Sequence, residues 1–247
     1  IPSMNYTFTY DNARLKRDYQ LWWENSITSA GNVTSLLYAA LGKDFREKNK
    51  KLLGTPFAQF MKFTSEIRTL FKVGEKQHIA ARLMGGVLWS YGNQTIAPYS
   101  EQFYIGGANS LRAFTVRSLG PGTYNPGKNT KYGYLDQTGD IKLEANVEYR
   151  FPIFGELYGA TFLDAGNVWL MRKDESRPGG ELTLKNFAKS IALNTGLGVR
   201  YDLTFLVIRL DMGIALHVPY ETGKSGYYNI PKFKDGLGLH FAIGYPF

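Results

Sequence analysis

The chain has 247 residues, enough for one large domain, and sets 29 Lys and Arg against 21 Asp and Glu for a net charge of +8. It contains no cysteine, which excludes a disulfide framework, a thiolate zinc site and a cysteine nucleophile. No apolar run reaches the roughly 18 residues of a membrane-crossing helix, and a mean hydropathy of -0.26 leaves a β-barrel open, because alternating strands average low.

The chain opens at Ile1 with no signal-peptide pattern and is expected to be a processed product or a fragment. In chain order, Met4 to Tyr10 and Tyr19 to Ser29 read as the first strands. Lys43, Arg46, Lys48, Lys50 and Lys51 follow as a basic cluster interrupted by Asp44 and Glu47, which reads as a solvated loop. Phe57 to Lys72 places Met61, Phe63, Ile67 and Phe71 on one face and Lys62, Glu66 and Arg68 on the other. Lys76 to Tyr91 predicts a further strand, and so does Leu157 to Trp169. Between these two, Ile141 to Phe151 alternates without a fault. Ile141, Leu143, Ala145, Val147, Tyr149 and Phe151 share one face; Lys142, Glu144, Asn146, Glu148 and Arg150 share the other. The same period runs from Ile191 to Asp202, from Leu206 to Leu216, and through Gly236 to Phe247. In that last strand Leu237, Leu239, Phe241, Ile243, Tyr245 and Phe247 form the apolar face, and Gly238 and Gly244 lower its stability. The total is about nine strands, several long enough for the ~9–11 residues of a membrane crossing.

Connection lengths assign the architecture. Val73 to Glu75, Pro152 to Gly155 and the join at Asp202 and Leu203 are tight turns; Ala30 to Pro56, Gly92 to Gln137, Leu170 to Lys189 and Val218 to Asp235 are long. Short and long alternate strictly, as they do where a transmembrane barrel has short periplasmic turns and long extracellular loops. The fold predicted over residues 1–247 is therefore all-β, a transmembrane antiparallel β-barrel in a Gram-negative outer membrane. With the last strand ending in the periplasm, strand parity makes the first strand start outside. At least one strand, and more naturally several, is expected ahead of Ile1.

Other motifs carry little. Gly122 to Lys128 begins like a phosphate-binding loop, but Asn129 replaces the required Ser or Thr, and no strand-to-helix context surrounds it. His78, His217 and His240 lie on separate strands and could meet in a lumen, but no metal site is predicted. Asn5, Asn32 and Asn93 open glycosylation-type triplets that mean nothing in a bacterial barrel. No Gly-x-Ser-x-Gly elbow occurs, and no enzyme activity or cofactor is predicted. Arg209 and Asp211, beside Arg200 and Asp202 on the next strand, predict a lumenal charge ladder.

The long loop 92–137 holds FYIGGANSLRAF, Phe103 to Phe114. This stretch resembles the sixth extracellular loop of the BamA/TamA outer-membrane assembly superfamily, the bacterial surface antigen family, whose tip is Arg-Gly-aromatic after an aliphatic residue. Leu111, Arg112, Ala113 and Phe114 stand in those places, with alanine for the glycine. NVEYRFPI from Asn146, TFLDAGNVW from Thr161, and the ending GLGLHFAIGYPF resemble the family's following strands and its C-terminal signal. The tone of GGANSLRAF followed by RSLGPG is closest to TamA-like members. Independently of the likeness, Glu148 and Asp164 both have the inward phase, and a buried guanidinium needs such partners. Arg112 is expected to meet both.

The resemblance implies a barrel of about sixteen strands, POTRA domains upstream, and a last strand that opens sideways to offer an edge to clients. The gate and signal residues would be Gly238, Phe241, Ile243, Gly244, Tyr245 and Phe247. It implies as partners outer-membrane lipid and lipopolysaccharide, client outer-membrane or secreted proteins, and periplasmic or accessory envelope subunits. No nucleic acid is expected. A passive two-partner secretion transporter, a porin-like channel, and the membrane anchor of an upstream lipase-type enzyme are the alternatives that share such a barrel.

Overall fold

The structure is a computed structural model that describes residues 2–14, 18–45, 47–48, 50–93, 96–127 and 137–247. Arg46 of the basic cluster, Thr95 of one glycosylation triplet, and Lys128 and Asn129 of the phosphate-loop match lie outside the described residues.

Nine strands form one antiparallel sheet: β1 (Ser3–Asp11), β2 (Tyr19–Ala30), β5 (Phe60–Gly74), β6 (Gln77–Ser90), β7 (Ile141–Phe154), β8 (Leu157–Trp169), β9 (Ala192–Asp202), β10 (Val207–His217) and β11 (Leu237–Ile243). These nine pair in the order in which they follow one another along the chain. β5, with 15 residues, and β6 and β7, with 14 each, far exceed the roughly 5–6 usual in soluble sheets. The tight turns fall where the spacing places them, and all four long connections leave from the opposite end of the sheet. Ala30 to Pro56 is not plain loop. It holds helix α1 (Asn32–Ala40) and a small hairpin of β3 (Lys51–Leu52) with β4 (Thr55–Pro56). Lys50 of the basic cluster is not solvated either, because its amide bonds Asn93 Oδ1 and its ammonium bonds the Phe45 carbonyl. Among the described residues, no helix is long and apolar enough to cross a membrane.

The distribution of side chains is the reverse of a soluble protein's. Leu83, Val147, Leu163, Leu197, Leu210 and Met212 project from the outer face, each 41–57% exposed. Arg82, Glu144, Glu148, Asp164, Arg200, Arg209 and Asp211 are buried on the inner face. A continuous apolar surface backed by buried charge suits lipid outside and a polar lumen inside.

The expected last strand, Gly236 to Phe247, is shorter than its alternation suggests. Gly236 closes a 3-10 turn (Phe233–Gly236), and pairing with β10 ends at Ile243. Gly244 adopts φ 83°, a conformation glycine alone reaches easily, and its amide bonds the Val207 carbonyl. The turn reverses the phase of the residues after it. Tyr245 and Phe247 do not continue the apolar face: the Arg150 guanidinium lies 4.2 Å from the Tyr245 ring centre, and that of Arg82 lies 5.6 Å from the Phe247 ring.

Candidate functional site: the loop tip in the lumen

Between β6 and β7, residues 103–119 turn inward and pack against the inner face of the sheet. Ile105 and Leu111 are fully buried, and Leu119 nearly so; they join Phe60, Leu88, Phe103, Val168 and Ala215 in the main apolar cluster. Backbone bonds from Gly107 to Phe114 and from Arg117 to Ile105 close the tip into a compact hairpin-like loop. Gly106 and Gly107 have φ 97° and 96°, and a side chain at Gly106 would run into the Thr115 carbonyl. Ser110 anchors the turn by donating to Glu144 Oε2 at 2.8 Å, and its carbonyl accepts from Asn146 Nδ2 at 3.1 Å. Asn109 accepts from Arg209.

Arg112 is fully buried. Its Nε and Nη2 donate to the two oxygens of Asp164 at 3.0 and 2.8 Å, the bidentate arrangement a guanidinium favours. Its Nη1 donates to Glu148, and its amide reaches Asp164 Oδ2 at 3.2 Å. The guanidinium also lies 3.5 Å from the ring centre of Phe162, which is two residues from Asp164 on the same face of β8. Both acids expected to meet the arginine do so, and the stacking partner is an addition. An aromatic on the charged face, two residues before an acid, was its only trace in the sequence.

Both carboxylates have further partners. Asp164 accepts from Asn146 and Asn194 at 2.9 Å each. Glu148 accepts from Arg150 at 2.8 Å and Arg200 at 2.9 Å as well as from Arg112. Arg200 continues to Asp211 at 2.6 Å, and Arg209 pairs with Asp211 at 3.4 Å. The charge ladder therefore exists, but Asp202 is not a rung: it accepts the Thr204 amide in the turn after β9. The histidines do not gather. His217 stacks on Tyr227 and bonds the Tyr227 and Lys189 carbonyls, and the described residues contain no cluster of three or more metal-type ligands.

The other residues of the motif divide between core and surface. Leu111 is in the apolar cluster, Phe114 packs against it, and Ala113 faces the last two strands. Phe241 and Ile243 project outward at 69% and 64% exposure, and Gly238 pairs with Gly213. Arg117, the other arginine of the tip, sits between the rings of Tyr99 and Tyr104 at 4.8 and 4.6 Å.

An antiparallel sheet with an apolar exterior and buried interior charge, clamped around an inserted loop, is the wall of a transmembrane β-barrel. The sequence profile of the Omp85 superfamily domain matches residues 37–247, and the chain belongs to that superfamily. It is 34% identical over 90 residues to the outer membrane protein assembly factor BamA of Neisseria meningitidis serogroup B, a match covering 34% of this chain and 11% of that protein. It is 28% identical over 150 residues to the human sorting and assembly machinery component 50 homolog, covering 58% of this chain and 30% of that protein. The fold aligns with the crystal structure of BamA from Haemophilus ducreyi lacking POTRA domains 1-3. The TM-score is 0.52 at 12% identity, over 98% of this chain and 62% of that one. The chain thus spans less than two thirds of the length of each. The finer likeness to TamA-type members rests on the loop residues alone.

Proposed function

We propose that this chain is the C-terminal part of an outer-membrane barrel that inserts or translocates envelope proteins by presenting the edge of β11 to a client strand. Further strands ahead of β1 complete the barrel, and periplasmic POTRA domains precede them. The names of the two sequence relatives, both assembly components, support the class of activity. The observation that carries the mechanism is the weakness of β11. It has seven residues where β5 has 15 and is cut short by Gly244. Unpaired backbone groups are costly in lipid, so a short last strand is the place where a barrel parts most cheaply and where an incoming strand gains most by pairing. The outward side chains of β11 meet lipid, and the reading calls for neither cofactor nor catalytic residue.

Single cysteines placed from Leu239 to Ile243 are expected to crosslink to the terminal strand of a nascent barrel protein during assembly. The chain has no cysteine of its own to confuse the result. Adducts confined to fixed neighbours in the barrel, with ion conductance and no client adduct, would instead make this a passive channel.

A further inference from the structure

Arg112 is held at its guanidinium end by β7 and β8. That clamp does not explain where its main chain lies. One lateral row of the inner face runs from Glu148 on β7 through Phe162 on β8, Gly196 on β9 and Gly213 on β10 to Gly238 on β11. After Phe162 the row has no side chains, leaving a trough three strands wide. The Phe162 ring covers Gly196 so closely that a Cβ there would overlap it. The main chain of Arg112 and Ala113 covers the other two glycines. A Cβ on Gly238 would stand 2.7 Å from the Arg112 carbonyl oxygen and 2.8 Å from the Ala113 carbonyl carbon, and a Cβ on Gly213 would overlap the same peptide.

Glycine inside a strand weakens pairing, and it is found where another backbone must come close. Here that backbone is the loop tip, and the glycines it rests on are register partners across the β10–β11 seam. We propose that the tip is the inner brace of β11, so that docking of Arg112 and Ala113 and the placement of the last strand form a single coupled state. β11 pairs with β10 through its backbone; the tip adds a contact on its inner face and spans both strands. Releasing the tip then frees the edge, and a residue larger than glycine at 238 lifts the tip from the opposite side without touching Glu148 or Asp164. The consequence for assembly rests on the proposed role of the β11 edge; the coupling itself does not.

Hydrogen exchange on the whole protein in lipid nanodiscs tests the coupling with no client present, so its outcome is separable from that of the crosslinking. Arg112→Ala and Gly238→Val are each expected to speed exchange at Leu237–Ile243 by about tenfold or more while leaving the β5–β6 pairing unchanged. Gly85→Ala is the matched control, because a Cβ there meets nothing closer than the Lys142 carbonyl at 4.0 Å; it should leave β11 as it was. A released tip with wild-type exchange in β11 overturns the proposal, as does equal acceleration by the control. The unsubstituted protein gives a second reading that needs no variant to fold. With rising denaturant, the amides of Arg112–Phe114 and of β11 should lose protection together. Opening of β11 while the tip stays protected overturns the brace.

Discussion

Arg112→Ala is expected to release the loop tip at a cost of about 3–5 kcal/mol, the range for breaking a buried ion pair from one side. The Arg112 side chain is 1% exposed and both acids are fully buried, so the substitution takes the paired cation from Asp164 and one of the arginines from Glu148 where water cannot replace it. The stack on Phe162 is lost as well. Arg117→Ala, in the same loop, gives up its contacts with two tyrosines and should cost clearly less. Protease sensitivity of the loop in intact cells measures both. A loop as protected in Arg112→Ala as in wild type would show that the clamp does not hold it.

The acids should then differ from one another. Adding Asp164→Asn to Arg112→Ala is expected to change little, because its remaining donors, Asn146 and Asn194, are neutral and the charge pair is already gone. Adding Glu148→Gln should cost further, because Arg150 and Arg200 still depend on that carboxylate. Equal effects of the two would mean that Glu148 serves Arg112 alone. This asymmetry could not be foreseen from phase, which treats the two inward acids alike.

Leu210→Arg is expected to destabilise the folded barrel in lipid by about 2–4 kcal/mol, the range for a cation on the lipid face near mid-membrane. Leu210 pairs with Phe241 of β11 and projects outward beside Met212. Spin labels at Ile208, Leu210, Met212 and Ile214 should be shielded from water-soluble relaxants and reached by lipid-soluble ones. Labels on Lys43 or Lys48, beyond the strands, should behave in the opposite way. Water accessibility at Leu210 equal to that at Lys43 would remove the barrel from the membrane. Folding titrations into vesicles would then show no penalty for the arginine.

The features legible in the sequence are those that depend on local rules. Ile141 to Phe151 alternates without a fault because successive strand residues face opposite sides, and that alone placed Glu148 inward. Short turns after β5, β7 and β9 were legible because the alternation resumes within a few residues, and the strict exchange of short and long connections came with them. Lateral register between strands far apart in the chain is different, and only the folded sheet reveals it. Nothing in the neighbourhood of Glu148 indicates that Arg200, 52 residues away, shares it with Arg112. Gly238 reads only as a weak point in its strand until the tip of a loop more than a hundred residues upstream is seen resting on it and on its register partner Gly213. The ending misled for a related reason. Period two continues through Tyr245 and Phe247, but a single left-handed residue at Gly244 turns both aromatics from the lipid face onto Arg150 and Arg82. An alternation pattern records the phase of a strand, and it cannot record where the backbone stops being one.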